Sequence, residues 1–191
     1  MNIDLFRAAF TGGGTRANQF RVDLTIPAAV TGATTAGLLS QFLCTGAQLP
    51  ASNVASVEVF YRGRAVKVAG ERTYEAWTVT ILNDTNFAMR NALERWSEMI
   101  NRAKDNGGVT IPQAYWADLT VTQLDRNNLP LKSYKLVDAF PTTISPIELS
   151  FDNNNTVETF TVTFEYQYWE SQGITSNAGE IAGAITSILS Q

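Results

Sequence analysis

The chain contains no histidine and a single cysteine, and each scarcity excludes a class of chemistry. Without His there is no imidazole metal site, no Ser-His-Asp or Cys-His nucleophile system, and no side chain of the kind that most often acts as a general base near neutral pH. Cys44 alone cannot form an intrachain disulfide, so no disulfide framework supports the fold and nothing calls for an oxidising compartment. Charge is also sparse: 17% of residues are charged, against roughly 25% in ordinary soluble domains. The balance of 14 Lys+Arg and 18 Asp+Glu gives a net charge of −4, the wrong sign for a nucleic-acid binder with a Lys/Arg stripe. The longest uncharged run, Thr25 to Val57, is broken by Pro27, Gly32, Gly37, Gly46 and Pro50, so no membrane insertion is expected. The opening MNIDLFRAAFTGGG carries Asp4 and Arg7 and no apolar h-region, which argues against a signal peptide.

What is present is β-periodicity. The 191 residues, 45% hydrophobic and with 22 Thr, fit one domain with a core of its own. Phe20, Val22, Leu24 and Ile26 alternate with polar residues up to Pro27, as a half-buried strand requires. Residues 28–37 are small and Gly/Thr-rich and read as a loop or arm. Leu39–Ala47, Val54–Tyr61, Ala65–Ala69 and Tyr74–Leu82 read as strands. The period then changes: Met89, Ala92, Leu93, Trp96, Met99, Ile100 and Ala103 recur at three- and four-residue spacing, predicting one amphipathic helix over about 85–104. Asn83-Asp84-Thr85 offers its N-cap and Asn106-Gly107-Gly108 its stop. Strands follow at Trp116–Asp125 and Leu131–Phe140, separated by a turn at Arg126-Asn127-Asn128. Pro141–Pro146 reads as a bend and residues 152–155 as a turn. The last strand places Phe160, Val162, Phe164, Tyr166 and Tyr168 on one face and Thr159, Thr161, Thr163, Glu165 and Gln167 on the other. Beyond Glu170, Ile181, Ala184, Ile185, Ile188 and Leu189 share a face of a possible tail helix, Ala178–Leu189. The pattern predicts a mainly β sandwich or barrel with one flanking helix.

Candidate chemistry is weak. Glu165, Glu158 and Asp152 form the best carboxylate group, but an alternating polar strand face solvates carboxylates rather than perturbing them. Gly12-Gly13-Gly14 precedes Thr15-Arg16 rather than a Gly-Lys-Ser/Thr helix start, so it reads as a joint and not a phosphate loop. Cys44 lies in an apolar segment without a basic neighbour and reads as an inert thiol. Arg62, Arg64, Lys67 and Arg72 make a basic cluster around a hairpin, either a solvated edge that discourages aggregation or a docking site for an acidic neighbour. A monomeric binding module using Trp77, Trp116 or Tyr168 as a stacking platform is the competing class.

Two blocks are more specific. Residues 66–82 (Ala69-Gly70, Arg72-Thr73, Trp77-Thr78-Val79-Thr80, then Asn83-Asp84) resemble the strand-to-helix junction of the tail tube proteins of contractile-tailed bacteriophages. Residues 139–170 (Pro141, Ile144, Leu149, Asn154, Phe160, Val162-Thr163, Tyr168-Trp169) resemble that family's closing strand, and Cys44 with Leu49-Pro50 resembles its Cys…Leu-Pro stretch. The likeness spans roughly residues 15–170 and departs from the family pattern at 28–37, at Phe140 where Trp is common, and after Glu170.

The resemblance implies a structural protein with no cofactor and no catalytic step. It implies a β-sandwich-like tail tube domain over 1–170 with a 171–191 tail, and hexameric rings with a continuous inner β-barrel. It further implies rings stacked into a conduit for DNA and tape-measure protein within a sheath, bounded by baseplate and tail terminator proteins. Location in the virion tail after assembly in the host bacterial cytoplasm is implied as well. Tubes of phage-tail-like bacteriocins and contractile injection systems are the alternative within the same family. A DNA conduit needs a polar wall without excess cations, since cationic walls hold phosphates. The stripe Thr159, Thr161, Thr163, Glu165 and Gln167 suits such a lumen, with Asp118, Thr120 and Thr122 as a second stripe. Arg62, Arg64, Lys67, Arg72, Ile181 and Ile185 are the expected inter-subunit residues.

Overall fold

The structure, a computed structural model, describes residues 3–10 and 13–173. In chain order the elements are α1 (Ile3–Ala9), β1 (Phe20–Leu24), α2 (Ala33–Leu43), β2 (Cys44–Ala47), β3 (Asn53–Tyr61) and β4 (Arg64–Thr73). They continue with β5 (Trp77–Leu82), α3 (Ala88–Ile100), a short 3-10 turn at Pro112–Ala114, β6 (Ala117–Leu124), β7 (Pro130–Ile144), β8 (Thr159–Glu165) and β9 (Tyr168–Gly173). The architecture is mainly β and antiparallel throughout, as the alternation predicts.

Strand β7 organises the domain because it is long enough to serve two sheets. Its first half lies between β6 and β9, and β6 pairs onward to β1. Its second half pairs with β8, which pairs with β5 and then β2. Both sheets turn apolar residues into one core. Val22, Leu24, Leu119, Val121 and Leu136 come from the first; Trp77, Val79, Ile81, Phe160, Val162 and Phe164 come from the second. Helix α3 closes this core with Met89, Ala92, Leu93 and Trp96. Phe164 stands 6.0 Å from both Trp77 and Trp96, ring centre to ring centre, tilted against each. Both indoles bury their rings and still satisfy their N–H groups: Trp77 donates to the Gln48 carbonyl at 2.6 Å and Trp96 to that of Tyr115 at 2.8 Å. Burial of each such side chain stabilises the fold by roughly 1.5–3 kcal/mol.

Helix α3 is shorter than its periodicity predicts. Its N-cap is not in Asn83-Asp84-Thr85 but is the left-handed Phe87, which makes no side-chain cap; Asp84, three residues earlier, still satisfies the first helical N–H, its Oδ1 accepting from the Ala88 N–H at 2.9 Å. It ends at Ile100 because Asn101 turns extended; the left-handed Asn106 closes the next turn instead, donating to Arg102 O at 2.9 Å. Pro141 does not bend the chain out of its sheet. It sits within β7 where the register shifts between Pro141 and Thr143.

The segment 28–47 departs most from expectation. Residues 33–43 are helical, not a loop followed by a strand, and only Cys44–Ala47 is strand. Ala33, Ala36 and Ser40 recur at helical spacing and are buried, which lets α2 approach β1 closely. A Cβ on Gly37 would stand 3.2 Å from the Leu24 carbonyl oxygen. Ser40 Oγ accepts from the Leu24 N–H at 3.0 Å and donates to Gly37 O at 2.7 Å. Helix α2 thereby covers the outer edge of β1, a common way to blunt an exposed strand. The helix begins at Gly32 with φ 89°, a backbone angle that favours glycine.

Candidate assembly surfaces

The second sheet exposes a hydroxyl-rich face. Opposite the buried Phe160, Val162 and Phe164, β8 turns out Thr159, Thr161, Thr163 and Glu165. The register extends this face across the sheet: Thr163 lies beside Thr78 on one flank and Thr143 on the other, and Thr161 beside Thr80, which in turn faces Gly46. The Thr78 and Thr163 hydroxyls stand 3.2 Å apart. Among these residues Glu165 is the one charge. The periodicity of β8 identified half of this face; Thr78, Thr80 and Thr143 were missed, although the same alternation in WTVTIL signals the first two.

Gln167 leaves the stripe, which corrects its expected place there. The chain breaks out of β8 after Glu165, and the Gln167 N–H donates to Val137 O at 3.1 Å. Tyr168 accordingly opens β9 in the other sheet, opposite Val137, instead of continuing the Phe160 face.

Asp118, Thr120 and Thr122 lie on β6 in the first sheet, whose polar face looks outward on a different side of the domain. Thr122 is buried there, its hydroxyl 2.8 Å from that of Ser133, so it cannot line an open channel wall. Asp118 is paired with Lys135 at 2.7 Å, and the hydrogen bond and charge of Asp118 hold the ammonium above its ordinary pKa. The two stripes are not brought together.

Sheet edges define the second kind of surface. With the β1 edge under α2, the four-stranded sheet retains two open flanks among the described residues, β2 on one side and Phe140–Ile144 of β7 on the other. The inter-subunit candidates Arg62, Arg64, Lys67 and Arg72 all belong to the β3–β4 hairpin, an exposed two-stranded ribbon separate from the sandwich. Lys67 pairs across it with Glu58 at 3.2 Å. Ile181 and Ile185 lie outside the described residues, as does the expected tail helix.

The remaining candidates carry no chemistry. Glu158 accepts from Asn83 Nδ2 at 2.8 Å, at the opposite end of β8 from Glu165, so these two carboxylates do not converge. Among the described residues no group of three or more His, Cys, Asp or Glu is placed to hold a metal, and no helix is long and apolar enough to cross a membrane. Cys44 is largely buried, and that desolvation, aided by the Asp23 carboxylate, pushes its thiol up to about 12; a thiol so held is a poor nucleophile. Burial and the neighbouring Glu165 carboxylate also raise Tyr166. Trp77 is core, so the aromatics do not form a flat exposed platform.

Comparison with known proteins gives these surfaces a context. The family described as "Phage tail tube protein" matches residues 15–172. Tail tube protein gp19 of Enterobacteria phage T4 is 29% identical over 168 residues, covering 87% of this chain and 98% of that protein. The tail tube protein of Serratia phage KSP90 is 26% identical, covering 86% of this chain and 93% of its own length. A chain in the structure of an extracellular contractile injection system, "PVC sheath/tube terminator in extended state", shares the fold with a TM-score of 0.63 at 13% identity. That likeness covers 85% of this chain and 99% of that one.

Proposed function

The chain belongs to the phage tail tube protein family, and from that membership we propose that its copies close into six-membered rings that stack as the inner tube of a contractile tail. Its role is structural, and no catalytic step is assigned to any residue.

The observation that carries the reading is the four-stranded sheet β2–β5–β8–β7, open on both flanks among the described residues and threonine-lined on its outer face. An exposed strand edge in a monomer is a template for aggregation. The same edges become assembly contacts if β2 of one copy meets the Phe140–Ile144 edge of the next, and repeating that step around a symmetry axis closes a barrel. The wall of that barrel is the face bearing Thr78, Thr80, Thr143, Thr161, Thr163 and Glu165. Hydroxyls keep it wetted, and the carboxylates repel the phosphates of DNA passing through it, so the polymer slides. Thr159 borders this wall at the end of β8.

Sheath, tape-measure, baseplate and terminator proteins are the partners such a tube meets, and the tail assembled in the host cytoplasm is where it resides. The domain proper runs through β9 to about residue 173, and the segment after it serves as an accessory. The tubes of a bacteriocin or an injection device would use the same subunit geometry.

Negative-stain electron microscopy of concentrated purified protein tests the ring. Six-fold rings or hollow tubes are expected; a monodisperse monomer at every concentration and salt condition removes the proposal. Glu165→Lys tests the wall separately: tubes should form, while genome or tape-measure passage is impaired. Normal infectivity with such tubes takes Glu165 out of the conduit.

A further inference from the structure

The turn that follows α3 carries a reactive pair that assembly does not use. Among the described residues three asparagines adopt left-handed backbone, Asn106, Asn128 and Asn155, at φ 51°, 61° and 63°. Asparagine tolerates this region because its short polar side chain can hydrogen-bond locally. Leu129 and Thr156 follow the second and third, whereas Gly107 follows the first, and Asn106-Gly107 is the one Asn-Gly pair in the sequence. Packing imposes the glycines. A Cβ on Gly108 would stand 1.9 Å from the Ile100 carbonyl oxygen, so the stop of α3 excludes any side chain there. A Cβ on Gly107 would press to 2.7 Å on Arg102 Nη2 and push the guanidinium from its 3.3 Å pair with Asp105.

The side-chain amide of an asparagine is an electrophile, and the next backbone nitrogen can reach its Cγ by closing a five-membered ring. A side chain on the following residue hinders that approach; glycine does not. On closure the bond from Gly107 N to Asn106 Cγ forms and the Cγ–Nδ2 bond breaks. The Gly107 proton leaves with Nδ2 as ammonia. Water then opens the cyclic imide at either carbonyl, leaving aspartate or isoaspartate at position 106. The nucleophile must first release its proton, and in the folded chain that proton is held: the Gly107 N–H donates to Asp105 Oδ1 at 3.1 Å. Two backbone bonds across the turn resist the rotation that closure requires. The Asn106 N–H donates to Arg102 O at 2.9 Å, and the Arg102 N–H to Gly107 O at 2.7 Å.

We propose that Asn106-Gly107 is a site of spontaneous deamidation and that the Asp105 carboxylate is its brake. Each event replaces a neutral amide by a carboxylate and leaves the copy one charge more negative than its net −4. Aspartate keeps the turn, since it too adopts left-handed backbone. Isoaspartate routes the chain through Cγ, which adds a backbone carbon and draws Gly107 O away from the Arg102 N–H. The turn is tied to the end of α3 by the Val109 N–H, which donates to Met99 O at 3.2 Å. Helix α3 backs the core on the side away from the threonine face, so the new carboxylate lies away from that wall. The same chemistry applies to a free monomer and to a tube, and it stands apart from the ring reading.

Peptide mass mapping of the full chain during incubation at mildly alkaline pH tests both parts. In urea, where the turn is lost, Asn106 should convert first among the asparagines; in the folded protein it should convert at the same position but more slowly. Asp105→Ala should speed the folded protein about fivefold, the rate equivalent of one lost hydrogen bond of about 1 kcal/mol, and leave the rate in urea unchanged. Asp105→Ser, which retains a short oxygen acceptor, should recover part of the difference. Gly107→Ala should suppress conversion in urea, an arm that misfolding of the variant cannot mimic. Anion exchange should resolve aged wild-type protein into a more acidic species that aged Asn106→Ala lacks. Conversion in urea led by another asparagine overturns the site, as does folded protein that never converts at 106. A folded rate indifferent to Asp105→Ala, or one that rises equally in urea, overturns the brake.

Discussion

Strands β5 and β8 and strands β3 and β4 are built from the same residues and end in opposite environments. In the first pair, Val79, Ile81, Phe160, Val162 and Phe164 alternate with threonine, and all five are at most 2% exposed. In the second pair, Val57, Val59, Val66 and Val68 alternate just as regularly, yet Val59 is 54% exposed and Phe60 72%. Alternation therefore specifies which side chains share a face, and what covers that face is decided elsewhere. For the sandwich the cover is α3 and the opposing sheet; for the hairpin no part of the described chain provides it. If copies supply it, variants in the two regions should separate, with sandwich variants reporting in the monomer and hairpin variants only in the polymer.

The sharpest contrast comes from Trp96→Ala, which empties the contact between α3 and Phe164 and leaves the Tyr115 carbonyl without its indole donor. A loss of about 3–5 kcal/mol is expected, read as a drop in the urea midpoint of the disassembled protein. A loss below about 1 kcal/mol would mean that α3 does not close the core, and the contrast between the regions would fail at its buried end.

Next in size is Ser40→Ala. It deprives the buried Leu24 N–H of its acceptor, and an unsatisfied buried donor costs about 1–3 kcal/mol. Replacement by threonine should not rescue fully, because Ser40 is fully buried in a close helix-to-strand contact. If Ser40→Ala is neutral by urea unfolding, α2 does not protect the β1 edge, and that edge joins β2 as an assembly candidate.

How far these features could be read beforehand differs by element for physical reasons. The amphipathic stripe of α3 and the alternation of β8 use large apolar residues, so their periods stand out and their buried faces followed from the letters alone. Helix α2 hides because its buried positions are Ala33, Ala36 and Ser40; small residues carry almost no hydrophobic contrast, and Leu39 to Leu43 then imitates a strand. The break at Tyr166–Gln167 is invisible for another reason: alternation continues through it, while the chain crosses from β8 to β9. Thr122 was legible as a face position but not as buried, because its cover, the Ser133 hydroxyl, arrives from a different strand. Membership of the family came from whole motif blocks such as Trp77–Thr80 and not from any single residue. The threonine wall was half legible, one strand at a time.

Cys44 gives a smaller effect that probes the boundary between core and edge, since it begins β2. Its thiol is held at about 12, against 9.0 for an ordinary cysteine. Between these values the unfolded chain has lost the proton and the folded chain keeps it. The stabilisation is complete below pH 9 and disappears as pH rises toward 12. By pH 10 the loss is on the order of 1 kcal/mol. Tyr166 and Lys135 are also raised and act in the same direction. Urea unfolding at pH 8 and pH 10 should show the loss, and Cys44→Ala should show less of it. An equal loss in both proteins would place Cys44 in water and make β2 a looser edge than described.

The smallest monomer effect is expected where the exposed valines are removed. Val59→Ser with Val66→Ser strips a directly paired couple from the hairpin's apolar face. Such a cross-strand pair stabilises the ribbon by only about 0.2–1 kcal/mol. The ribbon is separate from the sandwich, so its fraying does not propagate into the core. Urea unfolding of the disassembled protein should therefore shift by no more than about 0.5 kcal/mol, as for ordinary surface substitutions. Tube formation followed by sedimentation should nonetheless fall sharply if a neighbouring copy covers the valines, since no part of the described chain does. Two results break the comparison. A monomer destabilised as strongly as by Trp96→Ala would show that the hairpin is already packed within its own chain, and unchanged sedimentation would show that its apolar face needs no cover. The expected pair, silent in the monomer and strong in the polymer, distinguishes a surface built for assembly from one that is merely exposed.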